Sequence, residues 1–149
     1  MERLTNSVQP AEVVRALWSA WSRRDKAATL ALLADDIVFA LFVPQEVVPF
    51  GGETIGKASV SDRLQTILDQ FDTLSYEGKV MRTQGDTVHG MVAYRFRHKI
   101  AGETIDGDRR HVIEVRDGRI VRINEHHDIA LVRAFMRLVS HSAAERIGR

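Results

Sequence analysis

The chain has no cysteine among its 149 residues, so disulfides and thiolate zinc sites are excluded and a reducing cytoplasm is the expected setting. It also lacks net charge: 21 Lys and Arg against 20 Asp and Glu leave a formal +1. A nucleic-acid footprint needs a concentrated basic face, and the pairs Arg23-Arg24 and Arg109-Arg110 are too short to make one. No apolar run approaches the length that spans a bilayer, and the stretch Met1 to Pro10 is polar. Neither nucleic acid nor membrane is therefore expected as a partner. What remains is ordinary for a soluble globular protein: 44% apolar and 28% charged residues, in a length that suits one domain with a proper core.

Helices come first. Pro10 starts a pattern in which Val13, Val14, Leu17, Trp18 and Trp21 recur at helical spacing. Ser22 to Asp25 interrupts it, and a short second helix carries Ala28, Leu30, Ala31, Leu32 and Leu33, ended by Asp35-Asp36. Ile37 to Val43 reads as a strand, and Pro44 to Gly56 as an apolar loop folded over something. A third helix carries the stripe Val60, Leu64, Ile67, Leu68 and Phe71, with Ser59 and Asp62 resembling a capping box. Strands follow at Tyr76 to Thr83, Val88 to Ile100, Arg109 to Val115 and Arg119 to His127, separated by Gly85-Asp86, Gly102 with Asp106-Gly107, and Asp117-Gly118. Asp128 caps a last helix whose periodicity fades after Ser140. The expected fold is α+β: a curved antiparallel sheet with helices packed on its concave face, cone-shaped, in one domain spanning residues 1–149. Its ordered core runs from about residue 10 to about residue 140, with a flexible tail beyond.

Alternation along strands assigns faces. Val92, Tyr94, Phe96, His98 and Ile100 point inward, with Arg95, Arg97 and Lys99 opposite. Arg109, His111, Ile113 and Val115 share the inner face of the next strand, and Val121, Ile123, Glu125 and His127 that of the last, leaving Ile120 outside. A three-residue loop, Arg116 to Gly118, reconciles these faces and sets Arg109 across from Glu125 and His111 across from Ile123. A carboxylate, an arginine and histidines then converge on an apolar concavity. Glu125 is the candidate general base or acid, His111 or His127 the second proton-transfer group, and Arg109 the group that orients the carboxylate or stabilises developing negative charge. The same cluster also reads as a structural Arg109–Glu125 pair with hydrogen-bonded histidines. Trp18, Trp21, Phe39, Phe50, Tyr94, Phe96, His98 and Ile123 are the candidate ligand-facing residues, with the two tryptophans better suited to a core than to a ligand platform. His126-His127 is not expected to hold a metal, because adjacent strand residues point apart, and no cofactor is expected.

Four places in the chain resemble the nuclear transport factor 2-like superfamily, in its SnoaL-like and ketosteroid-isomerase-like branch. They are the Asp25 break, Leu33-Ala34-Asp35-Asp36-Ile37-Val38, Pro49-Phe50-Gly51-Gly52 with Gly56, and Val115 to Val121 running into Glu125-His126-His127-Asp128. The likeness covers nearly the whole chain and implies a homodimer formed through the sheet. Ketosteroid isomerases place a tyrosine where this chain has Leu17, an aspartate base near Leu41 and a protonated aspartate near His111. Limonene-epoxide-hydrolase-like enzymes place an aspartate at Glu125, and His98 and His111 resemble the inward histidines of scytalone-dehydratase-like members. The expected function is acid–base chemistry (isomerase, dehydratase, cyclase or epoxide-hydrolase type) on a small, largely apolar molecule. The alternative is a non-catalytic ligand-binding or accessory dimeric domain.

Overall fold

Pro10 opens α1 (Pro10–Ser22), where its missing N–H leaves no helical bond unmade. The structure, a computed structural model, describes residues 8–147; most of the polar N-terminal stretch and the last two residues lie outside the described residues. Asp25 caps α2 (Lys26–Ala31) by accepting from the Ala28 N–H at 3.0 Å. The helix stops short of Leu33, which is already the first residue of β1 (Leu33–Phe42). The loop that follows contains a short strand, β2 (Gly52–Ile55), before α3 (Lys57–Gln70). Gly56, at φ 94°, is the α3 N-cap, so Ser59 lies inside the helix and does not cap it. Phe71, the end of the expected helical stripe, instead begins β3 (Phe71–Gln84).

β3, β4 (Thr87–His98), β5 (Thr104–Arg116) and β6 (Arg119–His126) form a meander, and the six strands lie in the order β2-β1-β6-β5-β4-β3 in a curled, unclosed sheet. The sheet is mixed rather than wholly antiparallel, because β1 pairs with β6 in parallel. The long path from β1 to β6 through four other strands imposes no hairpin geometry on that pair. Ile100, expected inward, lies past the end of β4 and is exposed, whereas Asp106-Gly107, expected in a turn, pairs with Arg95 and Tyr94 inside β5. Asp128 accepts from the Leu131 N–H at 3.2 Å and starts α4 (Ile129–Ile147), which outlasts its apolar periodicity and continues past Ser140, where a tail was expected. Val132, Phe135 and Val139 of α4 join Val13, Leu17, Val60 and Leu64 in the core over the inner face of the sheet.

The β5–β6 hairpin departs from the expected register. Asp117 (φ 54°) and Gly118 (φ 77°) are both left-handed, which is the geometry of a two-residue turn, and Arg116 pairs with Arg119. The mismatch of faces is absorbed by a bulge: Val115 pairs with Ile120, but Glu114 pairs with Arg122, leaving Val121 as the extra residue. Ile120 is therefore fully buried rather than outward. Beyond the bulge the strand is back in phase, with His111 directly opposite Glu125 and Ile113 opposite Ile123.

Candidate active site

Alternate residues of β5 carry Arg109 and His111 to the inner face, and β6 brings Glu125 against them. His127 follows two residues later, in the link to α4. All four side chains meet at the carboxylate. Glu125 Oε1 accepts from Arg109 Nη1 at 3.0 Å and lies 2.8 Å from His111 Nε2, while Oε2 lies 2.8 Å from His127 Nε2. Arg109 is diagonal to Glu125, not across from it as the expected register had it, and its long side chain closes the difference.

Burial alone would push the Glu125 carboxyl up, but the Arg109 charge and the hydrogen bonds from His111 and His127 outweigh it and hold the group well below the usual carboxylate range. Glu125 is thus ionised, with both oxygens engaged. The Arg109 guanidinium is buried among three rings, its carbon 4.8 Å from the Tyr94 centroid, 5.3 Å from that of Phe96 and 5.4 Å from that of Tyr76. Burial works against its charge, yet the contact with Glu125 wins and its pKa is raised. Burial also raises the phenols of Tyr76 and Tyr94, so both stay protonated and act as donors. His127 Nδ1 is 3.5 Å from the Tyr94 hydroxyl, at the outer edge of hydrogen-bond range.

These polar groups form one end of a cavity of about 120 Å³ between sheet and helices. The rest of its wall is apolar, with Leu17 and Trp21 from α1, Leu64 from α3, and Phe135 and Met136 from α4. A cavity of about 150 Å³ holds benzene, so this one suits a molecule with about the bulk of a single ring. Of the candidate ligand-facing residues, Trp21, Phe39, Phe50, Tyr94, Phe96 and Ile123 line it. Two do not. His98 accepts from the Ala101 N–H at 3.1 Å and closes the turn after β4, and Trp18 lies behind His111, donating from Nε1 to His111 Nδ1 at 2.9 Å.

Sequence reasoning passed over three glycines that shape the site. A Cβ at Gly78 or Gly90 would stand 2.2 Å or 2.5 Å from the Trp18 indole, so the ring rests on two bare strand positions. A Cβ at Gly107 would stand 2.5 Å from the Tyr94 hydroxyl. Glycine inside a strand is itself a mark of close approach, and Gly78, Gly90 and Gly107 carried that mark in the sequence. Tyr76, which flanks Arg109, was likewise passed over because its partner is set by register across β3, β4 and β5. Among the described residues no group of three His, Cys, Asp or Glu is arranged to hold a metal ion. No helix among them is long and apolar enough to cross a membrane.

Solved structures share this architecture. An NTF2-like protein from Burkholderia xenovorans LB400 is 25% identical, with 88% of this chain and 98% of that one covered and a TM-score of 0.73. A protein from Bacillus subtilis, provisionally named an isomerase, is 22% identical over 86% of this chain and 92% of its own, with a TM-score of 0.75. TerC, co-crystallised with polyporic acid, is 19% identical over 86% of this chain and 98% of its own, with a TM-score of 0.74. No functionally curated protein matches the chain at a significant level. The SnoaL-like domain model matches residues 14–123, most of the chain from α1 to the middle of β6. With the curled six-stranded sheet and the helices that cover it, that match identifies the chain as a member of the SnoaL-like domain family within the NTF2-like superfamily.

Proposed function

We propose that the cavity is a catalytic site in which His127, oriented by Glu125, exchanges a proton with a small, largely apolar substrate bearing an acceptor oxygen. One observation carries this reading: Glu125 Oε2 holds His127 Nε2 at 2.8 Å, leaving Nδ1 turned to the Tyr94 hydroxyl at the polar end of an apolar cavity. An ionised carboxylate behind an imidazole fixes its orientation and stabilises the imidazolium formed when the ring takes a proton. Tyr94, Tyr76 and Arg109 are donors, so the polar end suits an oxygen that becomes negative as the proton leaves carbon. Glu125, the proton carrier expected from sequence, becomes the orienting group here, since three donors hold it ionised. Isomerisation, dehydration, cyclisation and epoxide opening all use such a proton transfer, and the provisional isomerase name of the Bacillus subtilis protein is in keeping with it.

The test is exchange of carbon-bound hydrogen for deuterium, followed by NMR, with a panel of single-ring ketones in heavy water. The wild type is expected to label at least one of them at the carbon next to the carbonyl. His127→Gln is expected to lower the rate by about 10²–10⁴-fold while still binding the ketone. Equal labelling by His127→Gln overturns the role of His127, and binding without labelling by the wild type sinks the enzyme reading. The second outcome leaves the ligand-binding domain, which the engagement of both Glu125 oxygens by protein donors favours. A homodimer through the outer sheet face belongs to the same proposal. Phe42, exposed and stacked on His126 at 4.4 Å, is one apolar group there, and sedimentation velocity tests the dimer directly.

A further inference from the structure

Trp18 touches neither the cavity nor the carboxylate, yet it sits at the head of the only buried side-chain chain of hydrogen bonds that reaches both, among the described residues. An indole nitrogen carries a proton and has no lone pair to offer, so it is a donor in every state. His111 Nδ1, 2.9 Å away, must therefore accept, which leaves it without a proton. The ring's other nitrogen then carries the proton and gives it to Glu125 Oε1. Neither the opposite tautomer nor an imidazolium fits, because each sets N–H against N–H.

We infer that Trp18 is a positioning residue: its indole N–H locks His111 as the neutral tautomer protonated on Nε2, so that the negative charge of Glu125 is spent on Arg109 and His127 rather than on a charged His111. The seat for this lock is built into the sheet. The indole lies over Gly78 and Gly90, and Gly90 pairs with His111 across β4 and β5. The ring is thus held at the depth where its nitrogen meets the imidazole, with both residues buried (4% and 3% exposed). The charged and titratable groups facing His111 are Arg109 on its own strand and Glu125 and His127 beyond it, and α1 contributes the indole. An ionised carboxylate at 2.8 Å favours a charged imidazole, so what opposes protonation is burial, the Arg109 charge and the donor on the far side.

The consequence for His127 rests on the proposed dyad, but the lock itself does not, and ring-nitrogen NMR reads it without turnover. In the ¹⁵N-labelled wild type at neutral pH, His111 Nδ1 is expected to show the shift of an unprotonated nitrogen and Nε2 that of a protonated one. Both are expected to hold on acidification to about pH 5. Trp18→Phe removes the donor and keeps an aromatic ring. In it, His111 is expected to become doubly protonated on acidification, with its midpoint raised by about one pH unit or more. A protonated Nδ1 in the wild type overturns the inference, and so does a His111 in Trp18→Phe that behaves as in the wild type. Should Trp18→Phe not fold, the wild-type spectrum decides by itself. An inert His127 with a locked His111 would instead remove the dyad and leave the lock standing.

Discussion

Arg109 and Glu125 lie on adjacent strands two residues out of register, yet Nη1 and Oε1 meet at 3.0 Å with both side chains almost wholly withdrawn from solvent. Such a pair is costly to break from one side, because the survivor is a buried charge without a counterion. Glu125→Gln leaves Arg109 in that state and is expected to destabilise the fold by about 3–5 kcal/mol. The double change Arg109→Met with Glu125→Leu is expected to recover a large part of the loss, since neither charge then remains to be solvated. Urea unfolding of the two variants beside the wild type measures both. A double variant no more stable than Glu125→Gln would mean that the histidine contacts, not the ion pair, dominate at this carboxylate.

The same cluster sets how stability responds to acid. Burial leads in holding His111 below its ordinary 6.5 despite the bond to Glu125, so below that pH the unfolded chain takes up a proton that the folded chain refuses. Its contribution is complete above about 6.5 and shrinks as pH falls toward the folded value. Glu125 acts later. Its folded pKa lies well below 4.5, so its contribution is complete above that value and is lost as pH falls below it. Urea midpoints collected between pH 8 and pH 3 are therefore expected to decline in two stages, and His111→Gln is expected to flatten the first. A midpoint that rises between pH 7 and pH 5 contradicts this assignment.

How far this site could be read from sequence depends on which interactions leave a local trace. Period-two alternation was enough to place Arg109, His111 and Glu125 on one face, because each strand is apolar around its polar residues. It failed at Ile120-Val121, where two apolar neighbours hide which one is the bulge, and that bulge together with the shorter turn changed the partner of Glu125 from Arg109 to His111. The parallel pairing of β1 with β6 leaves no turn to recognise, and β2 is four residues inside a loop rich in proline and glycine. Trp18 looked like a core residue, and it is one. What its sequence neighbours could not show is that two glycines, in strands some sixty and seventy residues away, bring its nitrogen to a histidine.

Those glycines give a prediction with a sharp steric basis. Gly78→Ala places a methyl carbon 2.2 Å from indole atoms that belong to a rigid, buried ring. Overpacking of this kind costs about 1–3 kcal/mol. In the Trp18→Ala background the indole is gone, so the alanine penalty at Gly78 is expected to disappear, and the two changes should not add. Chemical denaturation of the four proteins of that cycle measures the coupling. Additive losses would place the strain elsewhere, with the indole free to move aside.

Arg63 ties the cavity to its cover. From α3 its guanidinium donates to the Phe50 carbonyl and, at 3.1 Å, to that of Gly51, at the end of the segment between β1 and β2. Val48 and Phe50 of that segment line the cavity, and its own bonds are local turns such as Gly51 N–H to Val48 O at 3.0 Å. Such turns hold a segment in shape without fixing it to the rest of the molecule, and one charged nitrogen, Nη1, shared by two adjacent carbonyls helps supply that attachment. Arg63→Ala is expected to cost about 1–3 kcal/mol and to speed amide exchange at Val47, Val48 and Gly51 while the strands keep their protection. Hydrogen exchange followed by mass spectrometry resolves the two. Faster exchange across the whole sheet would show instead that Arg63 supports the fold at large, whereas a change confined to these amides makes it an attachment of the cavity's cover.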